Sequence, residues 1–287
     1  MQNNRGSLKN KLKSNLILAL LIGATFLIGF FYYQFTGNTI GIIVSVSFGL
    51  IYSLISYFTA SKVALKVNRA KPITKEDFPK VYKIVEELIQ EADIPMPKLY
   101  IVQDSAANAF ATGRSPKKAH IAVTSGILEV LDDDELKAVL AHEISHVKNY
   151  DIRLMMIVFA CVTSLNLILD FMLRSFIFGD ERNSGGFMTY ILLSFLTPII
   201  GMMVQAAVSR QREFAADASG AEITHRPQDL ASALRKITSN GSSLKKQSSA
   251  TAHLFFANPL KGPKFAKLFS THPPMEKRIQ ALNNLVV

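Results

Sequence analysis

Leu140-Ala141-His142-Glu143-Ile144-Ser145-His146 is the stretch on which the reading of this chain turns. Two histidines four residues apart on a helix lie about 40° apart around its axis and one turn along it. Both imidazoles can therefore reach a single tetrahedral metal ion. Glu143 stands beside them, where a carboxylate can take a proton from an attacking water and return it to a leaving amine. Ahead of the motif, Asp132-Asp133-Asp134-Glu135 puts acids where a helix N-terminus has free backbone donors and a positive dipole end. A helix is expected from there to about Asn149. The chain has six histidines among 287 residues, so a chance match to this pattern is on the order of half a percent. A surface helix with two solvated histidines is the bland alternative.

A catalytic metal needs a third protein ligand and an open position. The single cysteine, Cys161, lies in an apolar run, which excludes an intramolecular disulfide framework and a cysteine-rich zinc ribbon. The remaining donors are therefore histidine or carboxylate: Glu213, Glu222, His225, His253 and His272. Glu213 leads this set because Asp217 follows one helical turn later. Glu213 would bind the metal, and Asp217 would accept the second ring N–H of a ligating histidine, assigned here to His142.

Apolar segments flank both motifs. The composition is 49% hydrophobic and 19% charged, too apolar for a disordered chain and suggestive of membrane segments. Residues 14–61 contain no charge and are broken once, at Gln34-Phe35-Thr36-Gly37-Asn38. Residues 16–33 and 39–60 each approach the ~20 apolar residues that cross a bilayer. A second apolar hairpin is expected from residues 154–173 and 187–208, the latter interrupted by Pro198 and Gly201. Arg5, Lys9, Lys11 and Lys13 precede the first segment, and Lys62, Lys66, Arg69, Lys71 and Lys75 follow the second. These basic flanks belong on the cytoplasmic side. The net charge of +10 is then mostly a topology signal, and nucleic acid binding is not needed to explain it. A transporter is disfavoured because the apolar segments lack paired ionisable residues, Asp170 being the exception.

The organisation expected is an N-terminal membrane hairpin (1–61), a cytoplasmic lobe with the histidine helix (62–153), a second hairpin (154–208), and a lobe with the third ligand (209–287). The first lobe should hold an amphipathic helix burying Phe78, Val81, Ile84, Val85 and Leu88. A small sheet should follow, a hairpin plus one strand, from residues 98–103, 109–112 and 119–124. Helices are expected over 209–222 and 228–237 and after Pro274, with residues 238–251 a mobile loop or lid.

Several blocks together resemble a known family. They are Asn108-Ala109-Phe110-Ala111-Thr112-Gly113; the histidine motif with Asn149 and Asp151; Arg210-x-x-Glu213-x-x-Ala216-Asp217; Thr271-His272-Pro273-Pro274; and the two apolar hairpins. In this order they resemble the HtpX-type membrane zinc endopeptidases, relatives of the prenyl-protein (CAAX) endopeptidases. The resemblance implies a mainly α fold: membrane-embedded helical hairpins plus a cytoplasmic, gluzincin-like α+β catalytic domain with a small β-sheet. It implies one zinc ion per chain held by His142, His146 and Glu213, with Glu143 as general base and Asp217 behind a ligand. Asn108, Ala109 and Phe110 would belong to an edge strand where an extended substrate pairs through its main chain. His272 would approach the cleft as an oxyanion contact. The implied setting is the bacterial inner membrane, with the site and both termini cytoplasmic, in contact with the bilayer and acting on misfolded membrane proteins under stress. A zinc-binding scaffold without proteolysis is the alternative, and it has no use for Glu143. From the residues themselves, Asp151 is expected to brace its helix, Arg210 to snorkel, and His120, His225 and His253 to be solvated.

Overall fold

The computed structural model describes residues 2–37, 39–178, 210–240, 255–256 and 273–285. The expected fourth span, His253, His272 and residues 241–251 of the expected loop lie outside these. The described chain is mainly helical with one small sheet and divides into two units. One comprises Met1–Ser7, Ser61–Met156 and Val208–Val287, the other Leu8–Ala60 and Ile157–Ala207.

The helices begin with α1 (Gln2–Thr36) and α2 (Ile40–Val67). The larger unit then builds a mixed sheet from β1 (Lys71–Pro72), β2 (Lys98–Val102), β3 (Ala109–Gly113) and β4 (Ala119–Thr124), in spatial order β1-β2-β4-β3. The expected hairpin is β3–β4, antiparallel, while β2 runs parallel to β4 and β1 antiparallel to β2. Two residues of β1 carry no periodicity, so that strand had no signature to read. The hairpin closes at Gly113, whose φ of 148° brings its Cα so near the Lys118 carbonyl that an added Cβ would stand 2.5 Å from it. Only glycine takes that conformation without strain.

Between β1 and β2 runs α3 (Pro79–Ala92), which starts on proline at its first turn and stops at Asp93 in the left-handed region. It buries Val81, Ile84, Val85 and Leu88, the expected stripe, plus Ala92. After β4 comes a six-residue helix, α4 (Ser125–Val130), that the sequence reading did not separate. Thr124 caps it, its Oγ1 accepting from the Ile127 amide at 3.2 Å.

The central helix is α5 (Asp133–Lys148). Its start is a capping box: Asp132 Oδ1 accepts from the Glu135 amide at 3.0 Å and Glu135 Oε2 from the Asp132 amide at 3.1 Å. Leu136, Val139, Leu140, Ile144 and Val147 are all but fully buried, because α5 is enclosed by β3, α3 and two later helices, α7 (Arg210–Thr224) and α8 (Pro227–Asn240). A last helix, α9 (Met275–Asn283), packs on α7 and α8. The chain leaves α5 through Tyr150, in the left-handed region at φ 59°, and enters α6 (Asp151–Phe178).

In the other unit the long helices meet through small polar residues. Ser45 Oγ donates to the Thr25 carbonyl at 3.1 Å, and Ser53 Oγ to Ser164 Oγ at 2.8 Å. Among the described residues one helix, Ile42–Val67, is long and apolar enough to cross a membrane, with mean hydropathy 1.8. Asn15–Phe30 is a shorter apolar stretch of α1, and the expected third span lies within α6.

Candidate metal centre

α5 and α7 bring the sequence-predicted donors together. His142 Nε2 and His146 Nε2 are 3.2 Å apart, and the Glu213 carboxylate lies 3.9 Å from the first and 3.6 Å from the second. Their ligand atoms all fall within 4.8 Å of one another. A tetrahedral ion at zinc–nitrogen distance separates its donors by about 3.3 Å, so the set fits such an ion. Glu222 and His225 are exposed, and neither joins the group.

Close helix packing makes the convergence possible. The buried face of α7 is Glu213, Ala216, Asp217, Gly220 and Ala221, four-residue and three-residue spacings that form one stripe of mostly small side chains. These let α7 approach α5 at His142 itself.

Behind the donors lies a second layer of charge. Asp217 Oδ1 is 2.9 Å from His142 Nδ1, the pairing expected from the sequence. Arg278 of α9, fully buried, donates to both Asp217 oxygens, Nη2 to Oδ1 at 2.6 Å and Nε to Oδ2 at 2.8 Å. Its guanidinium also stacks over the Phe256 ring at 4.7 Å. On the other histidine, Asp151 Oδ2 is 3.0 Å from His146 Nδ1, and Arg212 Nη1 is 3.9 Å from Asp151 Oδ1. Asp151 therefore meets a histidine ring and is not confined to bracing its helix. Arg278 was missed altogether. Its only sequence signal is that it shares with Leu282 the buried i, i+4 face of an otherwise polar helix.

Burial dominates the electrostatics. It lowers His142 to about 4 against the opposing pull of Asp217. It raises the Glu143 carboxyl to about 7, with His146 opposing and Glu213 reinforcing the rise. Burial alone would raise Asp217 too, but Arg278 outweighs it and holds the group at about 2. For His146 burial is likewise outweighed, here by Asp151 and Glu213, and the ring stands at about 9. A carboxylic acid near 7 is suited to proton transfer at neutral pH.

Ala111, Ile152, Met155, Phe255 and Phe256 complete a cavity around the donors and Glu143. The outer edge of β3 is partly occupied. The Phe256 amide donates to the Ala109 carbonyl at 2.8 Å, and Phe255 bridges Phe110 with ring centroids 4.9 Å apart. Asn108 is tied to Thr124 of β4, and its Oδ1 accepts from the Ala109 amide at 3.0 Å. Asn108, Ala109 and Phe110 are thus built into the sheet, and Ala111 is the β3 residue at the cavity. His225 is exposed, as expected, and so is Arg210, while His120 is half-buried against Tyr100.

Comparison with known proteins gives the family of the chain. A sequence model of Peptidase family M48 matches residues 75–286. The chain is 45% identical over 282 residues to a "Protease HtpX homolog" of Tropheryma whipplei (strain Twist), covering 96% of each chain. It is 39% identical over 280 residues to a "Protease HtpX homolog" of Pyrococcus furiosus, again covering 96% of each. Among solved structures, the crystal structure of S. mikatae Ste24p superimposes with a TM-score of 0.55 at 20% identity, covering 95% of this chain and 65% of that one. That likeness shows a shared fold. With a matched family model, near full-length relatives and three converging metal donors, the chain belongs to peptidase family M48, a family of metallopeptidases.

Proposed function

We propose that the chain is a membrane-bound zinc endopeptidase that hydrolyses internal peptide bonds at the cytoplasmic membrane surface, with misfolded membrane proteins as its substrates. The observation that carries the reading is the convergence of His142, His146 and Glu213 on one point beside a buried Glu143. His142, His146 and Glu213 would hold the ion; the His2Glu donor set favours zinc. Zinc, when bound, supplies a Lewis acid that polarises the scissile carbonyl and acidifies water. Glu143 takes the proton of the attacking water and passes it to the leaving nitrogen, and its burial keeps its basicity matched to that task. Asp217, 2.9 Å from His142 Nδ1, would fix the tautomer of that ring and leave Nε2 free to serve as a donor.

Membrane attachment is supported by Ile42–Val67 and by its outward side chains Ile43, Val44, Ile51, Leu54 and Phe58, each more than half exposed. The basic residues at both ends of the first apolar pair favour a cytoplasmic site. The relatives' printed name, protease HtpX homolog, supports a protein substrate.

Proteolysis by detergent-solubilised, zinc-loaded protein tests this, with an unfolded membrane protein as substrate and Glu143→Gln as the paired control. Loss of the general base should cost about 10²–10⁴ in turnover with zinc retained. Equal cleavage by both proteins would refute the assignment of Glu143, and zinc absent from both would refute the donor set.

A further inference from the structure

We infer that Asp151 and Arg212 are positioning residues for His146, a counterpart to Asp217 and Arg278 behind His142. This rests on the metal site proposed above. Each histidine donor then has the same three-part arrangement: an imidazole whose Nδ1 meets a carboxylate, and an arginine behind the carboxylate. For His142 the distances are 2.9 Å to Asp217 and 2.6 Å from Asp217 to Arg278. For His146 they are 3.0 Å to Asp151 and 3.9 Å from Asp151 to Arg212.

His146 is the donor that needs such help. It sits in the last turn of α5, two residues before the helix stops at Lys148, and its side chain is 14% exposed where that of His142 is 1%. Its ring is thus less enclosed than that of His142. The chain then bends at Tyr150, a non-glycine residue in the left-handed region at φ 59°. Residues other than glycine, asparagine and aspartate seldom adopt that conformation. Its effect is to set Asp151, the first residue of α6, beside the ring it has just passed. A carboxylate on Nδ1 fixes the tautomer, leaving the Nε2 lone pair for the ion, and makes the ring a stronger donor.

Arg212 comes from α7, immediately before Glu213. One helix therefore delivers both the third donor and the cation behind the second histidine. Its Nη1 and Nη2 are buried and make no hydrogen bond to the described residues; among these it acts on Asp151 through charge, at 3.9 Å, whereas Arg278 grips Asp217 at both oxygens. The His146 side is accordingly the looser half of the site, which agrees with its exposure.

A purely structural role for Asp151 is the rival account, because an acid in the first turn of α6 favours the helix dipole. Serine separates the two. Asp151→Ser keeps a small polar residue at the helix start but is too short to reach the ring. The experiment uses the full chain in detergent, in a Glu143→Gln background that prevents self-cleavage. Zinc affinity is measured by chelator competition, ring geometry by the absorption spectrum of the Co²⁺ form, and folding by thermal unfolding of the metal-free protein.

Asp151→Ser should weaken zinc by about 10–100-fold and alter the Co²⁺ spectrum; because buried Arg212 loses its counter-charge, the metal-free protein should also unfold at a lower temperature, so the spectrum and the zinc affinity decide the role. Arg212→Met should weaken zinc less, and Arg212→Lys should recover part of that loss. Undiminished zinc affinity in Asp151→Ser, with zinc bound by the parent, overturns the proposal alone. So does a lowered metal-free unfolding temperature with an unchanged Co²⁺ spectrum, which assigns Asp151 to the helix start. A parent that binds no zinc overturns the metal site itself, and this inference with it.

Discussion

Gly220 of α7 lies against the backbone of His142 of α5: a Cβ at position 220 would stand 3.0 Å from the His142 nitrogen and 3.1 Å from its Cα. That closeness sets the distance between the helix with two donors and the helix with the third. In an exposed helix, Gly→Ala stabilises by about 1 kcal/mol. Here the contact is with backbone, which cannot rotate away, so overpacking of about 1–3 kcal/mol should win. Gly220→Ala is therefore expected to lower the unfolding temperature and weaken zinc binding together. A stabilised variant with unchanged zinc affinity would show that α7 has room to shift.

Arg278 is fully buried and paired with Asp217 at both oxygens. Removing one member of such a pair typically costs about 3–5 kcal/mol, because the other charge is left buried and uncompensated. Arg278→Met should destabilise on that scale, and Arg278→Lys less, since lysine restores charge without the two-pronged geometry. The arginine also sets an acid limb. Asp217 is held at about 2, below the roughly 3.9 of an unfolded aspartate, so its contribution is present above pH ~4 and lost as pH falls toward 2. Unfolding followed between pH 6 and 2 should show this limb in the parent protein and lose it in Arg278→Met.

Metal removal should act on both activity and stability. A chelator is expected to abolish hydrolysis, and added zinc to restore it. Because the ion binds the folded site, zinc at a thousandfold excess over its dissociation constant should stabilise by about 4 kcal/mol. A melting temperature that does not respond to zinc would count against a site built from α5 and α7.

Asp132 lies ten residues before His142, at the start of the same helix, and its pKa is lowered chiefly by the hydrogen bond from the Glu135 backbone. Asp132→Ala should cost about 1 kcal/mol in stability through the lost cap. Zinc affinity and turnover should stay near parent values, since the donors are held by packing farther along. A large kinetic loss would mean that α5 is positioned by its first turn.

The sequence alone determined the chemistry that is local along the chain. His142, Glu143 and His146 lie within one helical turn, the acids of residues 132–135 announce where that helix begins, and the stripe of α3 repeats at helical spacing. Strand periods likewise announced β2, β3 and β4. Glu213 was a candidate because Asp217 follows it one turn later, yet only the packing of α7 on α5 brings it within 4 Å of both histidines. Arg278 and Asp151 depended wholly on tertiary structure. Arg278 is 61 residues from Asp217 in the chain, and Asp151 reaches His146 across a helix break, where helical spacing no longer dictates direction. Periodicity reports which side of an element is buried, whereas the partner of a buried charge is decided by which elements meet, and that is settled by packing.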